Sequence, residues 1–294
     1  MGKVFITLLV LGFIGWVLLM FLSITMSLEK RDDDSSSRSN SSSNSNEELC
    51  PCWESGLQRE SDEIVLRWSD HNVGRNGHHP SLEVAVSISM RQLNKSVNSF
   101  GMTRQEEESS ESVSARGMIV SNRSRSPDFQ WVFEQGRSDL SACFQDIRDE
   151  ARSVGCNTHR DFVGFVASLV QSLTYCIPPS TRRNPDGREV AICGLTVPIE
   201  TLANLCGDCD SKSVLLASLL GNLPGQRFVL ICDNVNEHAY LGVQLSPVLG
   251  ENYIMIHGEP FVLIETTNES DLGEIDDESM DELNARRPIV TLLE

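Results

Sequence analysis

The longest apolar segment of the chain lies near its start, at residues 4–26, and it contains no charged residue. A run of this length is sufficient for a helix that crosses a bilayer. Because Lys3 precedes the run, a cleaved signal peptide is the alternative, but the run is long for a signal-peptide core and no A-x-A site follows. We therefore expect a membrane anchor. The flanking charges do not decide its orientation, and we expect the folded part on the extracytoplasmic side.

Polar residues replace apolar ones after this segment. Residues 31–48 contain no apolar residue and are rich in Ser and Asn, which predicts a flexible tether. Two patterns typical of β-strands follow, at residues 63–68 and in the alternation from residue 81 to residue 90. Residues 101–128 are polar with a Glu/Ser-rich centre, so we predict a mobile loop there.

Helical periodicity appears next. Apolar positions in residues 138–154 share one face, and we expect Ser138 to cap this helix. Thr158 and Asp161 have the spacing of a capping box and open a second, mostly buried helix. Residues 177–193 contain Pro-Pro and Asn-Pro-Asp-Gly and predict a loop, after which Pro198 begins a short helix.

A polar turn, Cys206-Gly-Asp-Cys209, runs directly into an apolar helical segment that ends near Leu220. Asp208 is placed to cap this helix, so Cys209 falls in its first turn, where the helix dipole favours a thiolate. Four strand patterns follow, at residues 227–232, 239–245, 252–256 and 261–266. Helices followed by a run of strands that can pair antiparallel predict an α+β fold.

Composition narrows the classes of function. With 24 basic and 42 acidic residues the net charge is −18, which argues against nucleic-acid binding. Nine cysteines leave at least one thiol unpaired, as a reactive cysteine requires. His71, His78 and His79 have no acidic or cysteine partner at ligand spacing, and the single CxxC has no second pair. We therefore expect neither a metal site nor a cofactor.

Two further residues complete a possible catalytic group around Cys209. His238 stands at the start of one predicted strand, and Glu265 lies near the end of a later one. Antiparallel neighbours would bring the imidazole and the carboxyl group together at the end of the cysteine helix. The group then contains a nucleophile, a base and an acid that orients the base, which is the arrangement of a catalytic triad.

Several motifs resemble the transglutaminase-like superfamily, particularly the bacterial transglutaminase-like cysteine peptidases, over about residues 138–267. They are Pro198-x-Glu-Thr-Leu202, Gly207-Asp-Cys-Asp210, His238-Ala-Tyr-Leu-Gly-Val243, Glu265-Thr-Thr267 and the helix ending in Phe165-Val-Ala-Ser-Leu-Val-Gln-Ser-Leu-Thr-Tyr175. The resemblance implies a papain-like core in which a helix bearing the catalytic cysteine packs on an antiparallel sheet.

The resemblance also assigns roles to individual residues. Cys209 is the nucleophile, His238 the base and Glu265 the third member, where the family usually has Asp. By analogy with papain-like enzymes, Gln171 is a second oxyanion donor beside the Cys209 N–H. The chemistry implied is attack on an amide of a protein or peptide substrate through a thioester. Hydrolysis by a thiol protease is our first expectation, and transglutaminase or deamidase activity is the second.

Two other classes of function stay open at this point. Cys206-x-x-Cys209 also has the spacing of a thioredoxin-like redox pair or a regulatory disulfide, although helices rather than a strand precede it. A transglutaminase-like domain without catalysis would be a binding module. We divide the chain into an anchor (residues 1–28), a linker (29–49), a β-rich extension with a mobile loop (50–130) and a transglutaminase-like catalytic domain (131–294).

Overall fold

The computed structural model describes residues 63–68, 82–108, 112–121, 124–233, 237–285 and 288–294. The predicted anchor, the predicted tether and the loop histidines lie outside these residues. Within the described residues, no helix combines the length and the apolar composition needed to cross a bilayer. The proposed division into domains stays a prediction.

The described residues form a mixed fold of helices and mainly antiparallel strands. The helices are α1 (Met90–Ser99), α2 (Arg104–Glu108), α3 (Phe129–Asp139), α4 (Ser141–Ser153), α5 (His159–Gln171), α6 (Pro198–Asn204), α7 (Cys209–Leu220) and α8 (Asp277–Ala285). The strands are β1 (Glu63–Trp68), β2 (Leu82–Ser87), β3 (Ser112–Ala115), β4 (Met118–Ser121), β5 (Ser124–Pro127), β6 (Thr174–Tyr175), β7 (Thr181–Arg183), β8 (Glu189–Ala191), β9 (Cys206–Gly207), β10 (Phe228–Asp233), β11 (His238–Gln244), β12 (Tyr253–Ile256), β13 (Glu259–Ile264) and β14 (Ile289–Leu293).

The largest sheet contains five antiparallel strands in the order β12-β13-β11-β10-β14. Because successive side chains of a strand point to opposite faces, the sheet has two apolar faces. One face joins the main core, which includes Leu230, Leu241 and Val262 together with α7. The other face, which includes Tyr240 and Leu263, is covered by Leu283 of α8 and by Ile275 before it.

Helix α7 lies at the centre of the main core. Each of its residues except Asp210 is buried, and it packs against β11 and against α3, α5 and α6. The predicted cap is confirmed, because the Asp208 Oδ1 accepts from the Ser211 N–H at 3.2 Å. The helix therefore begins at a fixed point, and Cys209 is its first residue.

Several predicted elements match the structure. The Thr158–Asp161 capping box is present in both directions, and Pro198 occupies the first turn of α6. The four strand patterns after α7 correspond to β10–β13 within two residues. These signals are local, so they can be read without knowledge of the tertiary contacts.

Other predicted elements are wrong. Ser138 is not a helix cap; it lies in the last turn of α3, which Asp128 caps by accepting from the Trp131 N–H at 3.1 Å. The stretch at residues 101–128, predicted as a loop, contains α2 and the three-stranded sheet β3-β4-β5. The predicted loop at residues 177–193 contains the β7–β8 hairpin. These strands have only three or four residues, too few for a clear alternation of apolar and polar positions.

Candidate active site

The first residue of α7 is held in place by the turn before it. Leu205 ends α6 in the left-handed conformation (φ 54°), and β9 then runs parallel to β6. A glycine is needed at position 207, because a Cβ there would lie only 2.8 Å from the Thr201 Cγ2. The N–H of Cys209 consequently stands at the start of the helix, where the backbone lacks intrahelical acceptors and favours negative charge.

His238 and Glu265 meet at the end of the main sheet. Leu241 on β11 pairs with Ile264 on β13, so Glu265 follows β13 close to the start of β11. The His238 Nε2 lies 2.8 Å from the Glu265 Oε2. The other carboxylate oxygen, Oε1, accepts from the Thr267 N–H at 2.6 Å and from the Thr267 hydroxyl at 2.5 Å. The carboxylate is therefore fixed on both sides.

The imidazole also reaches Cys209. Interaction with the Cys209 side chain is among the causes that raise the pKa of the His238 ring. Because Nε2 faces Glu265, Nδ1 is the ring nitrogen left for the thiol. The main-chain oxygen of Glu237 lies 3.9 Å from the Cys209 Sγ, and Glu237 itself has a left-handed backbone (φ 51°). The structure thus brings together three of the four predicted site residues.

Electrostatics favour a charged imidazole at this site. Burial lowers the pKa of His238, but hydrogen bonds and charge interactions with Cys209 and Glu265 outweigh it and raise the pKa to about 10. Burial raises the pKa of Glu265, whereas the bonds from His238 and Thr267 lower it, and the net shift is downward. The Glu265 carboxylate is therefore ionised and stabilises an imidazolium.

The pKa of Asp210, the residue after Cys209, shifts in the opposite direction from that of Glu265. Burial, and then the neighbouring Asp208 carboxylate, raise the pKa of Asp210 well above its usual range. The Asp208 and Asp210 side chains both accept from the Ser211 N–H, at 3.2 Å and 2.8 Å. Asp210 can thus hold a proton beside Cys209, which reduces the negative charge that a Cys209 thiolate would face.

Gln171 lies at the end of α5 and does not stand free as an oxyanion donor. Its Nε2 donates to the main-chain oxygen of Glu265 at 2.7 Å and to that of Ser270 at 3.1 Å. Both hydrogens of the amide are therefore used to hold the loop that carries Glu265. The backbone N–H of Cys209 is left as the donor that the helix supplies directly.

Three nearby residues were missed by the sequence analysis. The Tyr240 and His238 rings pack edge to face, with ring centroids 4.6 Å apart and an angle of 77° between their planes. Lys212 is fully buried one turn after Cys209, and its Nζ donates to the Leu173 main-chain oxygen at 2.8 Å. Tyr175, on β6, is 50% exposed, and burial and then the charge of Cys209 raise its pKa. Tyr175 and Tyr240 stood in motifs quoted from the sequence but received no role there, and the signal for Lys212 was a lone cation in an apolar helix.

Metal binding and redox exchange are the other chemistries that clustered Cys, His and acidic residues can support. In the part of the chain that the structure describes, no group of three or more His, Cys, Asp or Glu residues is arranged to hold a metal ion. Cys206 lies on β9 and Cys209 opens α7, and the two are not joined by a disulfide in the structure.

Comparisons with known proteins add little to this geometry. No protein-family model matches the sequence, and no curated protein matches it. Among solved structures, Legionella pneumophila LapG (EGTA-treated) is similar at 12% sequence identity, covering 53% of this chain and 94% of that chain with a TM-score of 0.24. A TM-score this low does not establish a shared fold.

Proposed function

We propose that this protein is a transglutaminase-like cysteine peptidase that cleaves an amide bond through a Cys209–His238–Glu265 triad. The observation that carries the proposal is the convergence of three separate elements. A thiol at the start of α7 and a carboxylate after β13 both act on the imidazole on β11: the Glu265 Oε2 lies 2.8 Å from the ring Nε2, and Cys209 is among the groups that raise the pKa of the ring. This order of groups is the one that nucleophilic catalysis by cysteine requires.

The first half of the reaction forms a thioester. The proton of the Cys209 thiol resides on the His238 Nδ1, and the thiolate attacks the carbonyl carbon of the substrate. The N–H of Cys209 donates to the oxygen on which negative charge develops. When the C–N bond breaks, the imidazolium gives its proton to the leaving amine. Glu265 holds the ring in place and stabilises its charged form.

The second half releases the acyl group. Water attacks the thioester carbon while His238 accepts one of its protons, the C–S bond breaks, and the thiol is restored as the acid product leaves. An amine in place of water would give transamidation by the same steps. Hydrolysis needs no second binding site, so we propose a peptidase with protein or peptide substrates and no cofactor.

The proposal extends to fold and location. We propose that α7 and the five-stranded sheet form a papain-like, transglutaminase-like core, and that the apolar run at residues 4–26 anchors this core to a membrane. The substrates would then be membrane or envelope proteins on the extracytoplasmic side. Cleaved peptides from membranes containing wild-type or Cys209→Ala protein would identify them.

The reactivity of the thiol tests the proposed chemistry without a known substrate. We expect iodoacetamide at low concentration and pH 6 to alkylate Cys209 quickly, because a charged His238 imidazole beside the sulfur favours the thiolate, which is the reacting form of cysteine. Alkylation of each cysteine is measured by mass spectrometry of its peptide. In His238→Ala the rate at Cys209 should fall at least about tenfold at this pH.

Two other cysteines serve as internal controls. Burial raises the pKa of both Cys143 and Cys232 to about 12, so neither should react at pH 6. Equal labelling of Cys209 and Cys232, or an unchanged rate at Cys209 in His238→Ala, would contradict the enzyme proposal and favour a non-catalytic binding module.

A further inference from the structure

A buried ammonium group lies one turn after the nucleophile on α7. Lys212 has 0% exposure, although an unpaired charge in a protein interior is costly. Burial lowers its pKa to about 8, and this effect is opposed by the charges of Glu265, Cys176 and Cys206. The proposed reaction has no step for this residue, so its place in the core needs another explanation.

The contacts of Lys212 connect two helices. Its Nζ donates to the main-chain oxygens of Leu173, at 2.8 Å, and Gln171, at 3.3 Å. These oxygens lie at the C-terminal end of α5, where the helix leaves carbonyl groups without intrahelical donors and the dipole favours a cation. Lys212 therefore fastens the last turn of α5 to the helix that carries Cys209.

The last turn of α5 also contacts Glu265, the acid of the proposed triad. The side chain of Gln171 donates to the main-chain oxygen of Glu265 at 2.7 Å, and the Glu265 carboxylate lies 2.8 Å from the His238 ring. Three hydrogen bonds thus link Lys212 to Gln171, Gln171 to Glu265, and Glu265 to His238. A shift of the α5 terminus would move the carboxylate away from the imidazole.

We propose that Lys212 is a positioning residue for the Cys209–His238–Glu265 group. Its ammonium fixes the α5 terminus against α7, which keeps Glu265 within hydrogen-bond reach of His238 and so supports the charged imidazole beside Cys209. This inference rests on the proposed function, because it concerns the alignment of the proposed triad.

The test compares the pH dependence of Cys209 alkylation by iodoacetamide in the whole chain, kept in detergent. In Lys212→Met the acid-side midpoint of the rate should rise by about one pH unit, a tenfold loss of rate at lower pH. The rate above pH 9 should be unchanged. Lys212→Gln keeps a donor without the charge, so we expect a smaller shift in the same direction, and this variant gives the same test if Lys212→Met does not fold.

The matched control is Ser218→Ala, which removes another buried hydrogen bond of α7, from the Ser218 hydroxyl to the Phe133 main-chain oxygen at 3.3 Å. Ser218→Ala should lower the Tm but leave the pH dependence of Cys209 alkylation unchanged. If the Lys212 variants also lower the Tm and leave the profile unmoved, Lys212 is merely structural and the inference is overturned. If wild type itself has the profile of His238→Ala, the proposed function fails, and this inference fails with it.

Discussion

At the residue scale, the charge state of His238 depends on two partners acting against burial. Burial lowers the pKa of the ring, and the Cys209 and Glu265 side chains together raise it to about 10. We expect Glu265→Gln to lower this pKa by at least about one unit, because the amide has nearly the same shape but no charge. The pH dependence of the His238 Cε1–H chemical shift in NMR spectra measures the change.

The same spectra contain their own control. His257 lies in the exposed turn between β12 and β13, so its signal should behave alike in both proteins. An unchanged titration of His238 in Glu265→Gln would mean that the 2.8 Å contact with Glu265 contributes little to the charge of the ring. The orienting role of Glu265 would then be lost from the proposal.

At the scale of elements, a buried ion pair joins the β7–β8 hairpin to α6. The Arg182 side chain contacts the Glu200 carboxylate, and the exposed fractions of the two side chains are only 8% and 3%. Arg182 also donates to the Val97 main-chain oxygen, at the end of α1. One guanidinium therefore holds three elements, although the hairpin alone has only three residues in each strand.

Removing one member of this pair should be more harmful than removing both. We expect Arg182→Ala to lower the free energy of unfolding by about 3–5 kcal/mol, because Glu200 is left as an uncompensated buried charge. The double variant Arg182→Met, Glu200→Leu should be more stable than this single variant, since no charge is left in the core. Urea unfolding measures all three proteins.

An exposed pair supplies the comparison. Arg152 and Asp149 on α4 lie 3.5 Å apart with 56% and 76% of their side chains exposed, so Arg152→Ala should change the free energy of unfolding by less than about 1 kcal/mol. If Arg182→Ala is equally mild, the buried pair is not what fastens the hairpin to α6.

The sequence predicted the elements whose signals are local and missed those that depend on distant contacts. The caps at Asp208 and Thr158 could be recognised because each acts within three residues of its own position. By contrast, β14 pairs with β10 across more than fifty residues of chain, and Ile289 and Val290 on it are largely exposed. The apolar run Ile289-Val-Thr-Leu-Leu293 is short, and only its pairing with the distant β10 makes it the edge strand of the main sheet.

The residues of the site fall into the same two groups, those with local signals and those placed by tertiary contacts. Cys209, His238 and Glu265 stand at the start of a helix, the start of a strand and just past the end of a strand, which are positions that can be predicted from element boundaries. The partners of Gln171 and Lys212 are set by how α5 packs beside α7 and the Glu265 loop. That packing is a property of the tertiary structure, so neither the contacts of the Gln171 amide nor the role of Lys212 could be derived from spacing.

At the scale of the whole molecule, two buried bases at one site should give stability an unusual dependence on pH. The pKa of His238 is raised from 6.5 to about 10 in the folded state, so its stabilising contribution is complete below pH 6.5 and is lost as pH rises toward 10. The pKa of Lys212 is lowered from 10.5 to about 8, so the unfolded state binds more protons between these values. The contribution of Lys212 therefore increases with pH in that range.

The contribution of His238 changes alone between pH 6.5 and 8, and the contributions of His238 and Lys212 oppose each other between pH 8 and 10. In Cys209→Ala, where no thiol exchanges a proton with His238, we expect the free energy of unfolding to fall as pH rises from 6.5 to 8, because Glu265 still raises the pKa of the ring. Adding His238→Gln should remove that fall. Between pH 8 and 10 the increase from Lys212 offsets the loss from His238, so Lys212→Met should show a steeper decline than wild type there. Urea unfolding at pH 6.5, 8 and 10 measures both slopes. Parallel curves for Cys209→Ala with and without His238→Gln would contradict the raised pKa of the imidazole, and parallel curves for wild type and Lys212→Met would contradict the lowered pKa of the ammonium.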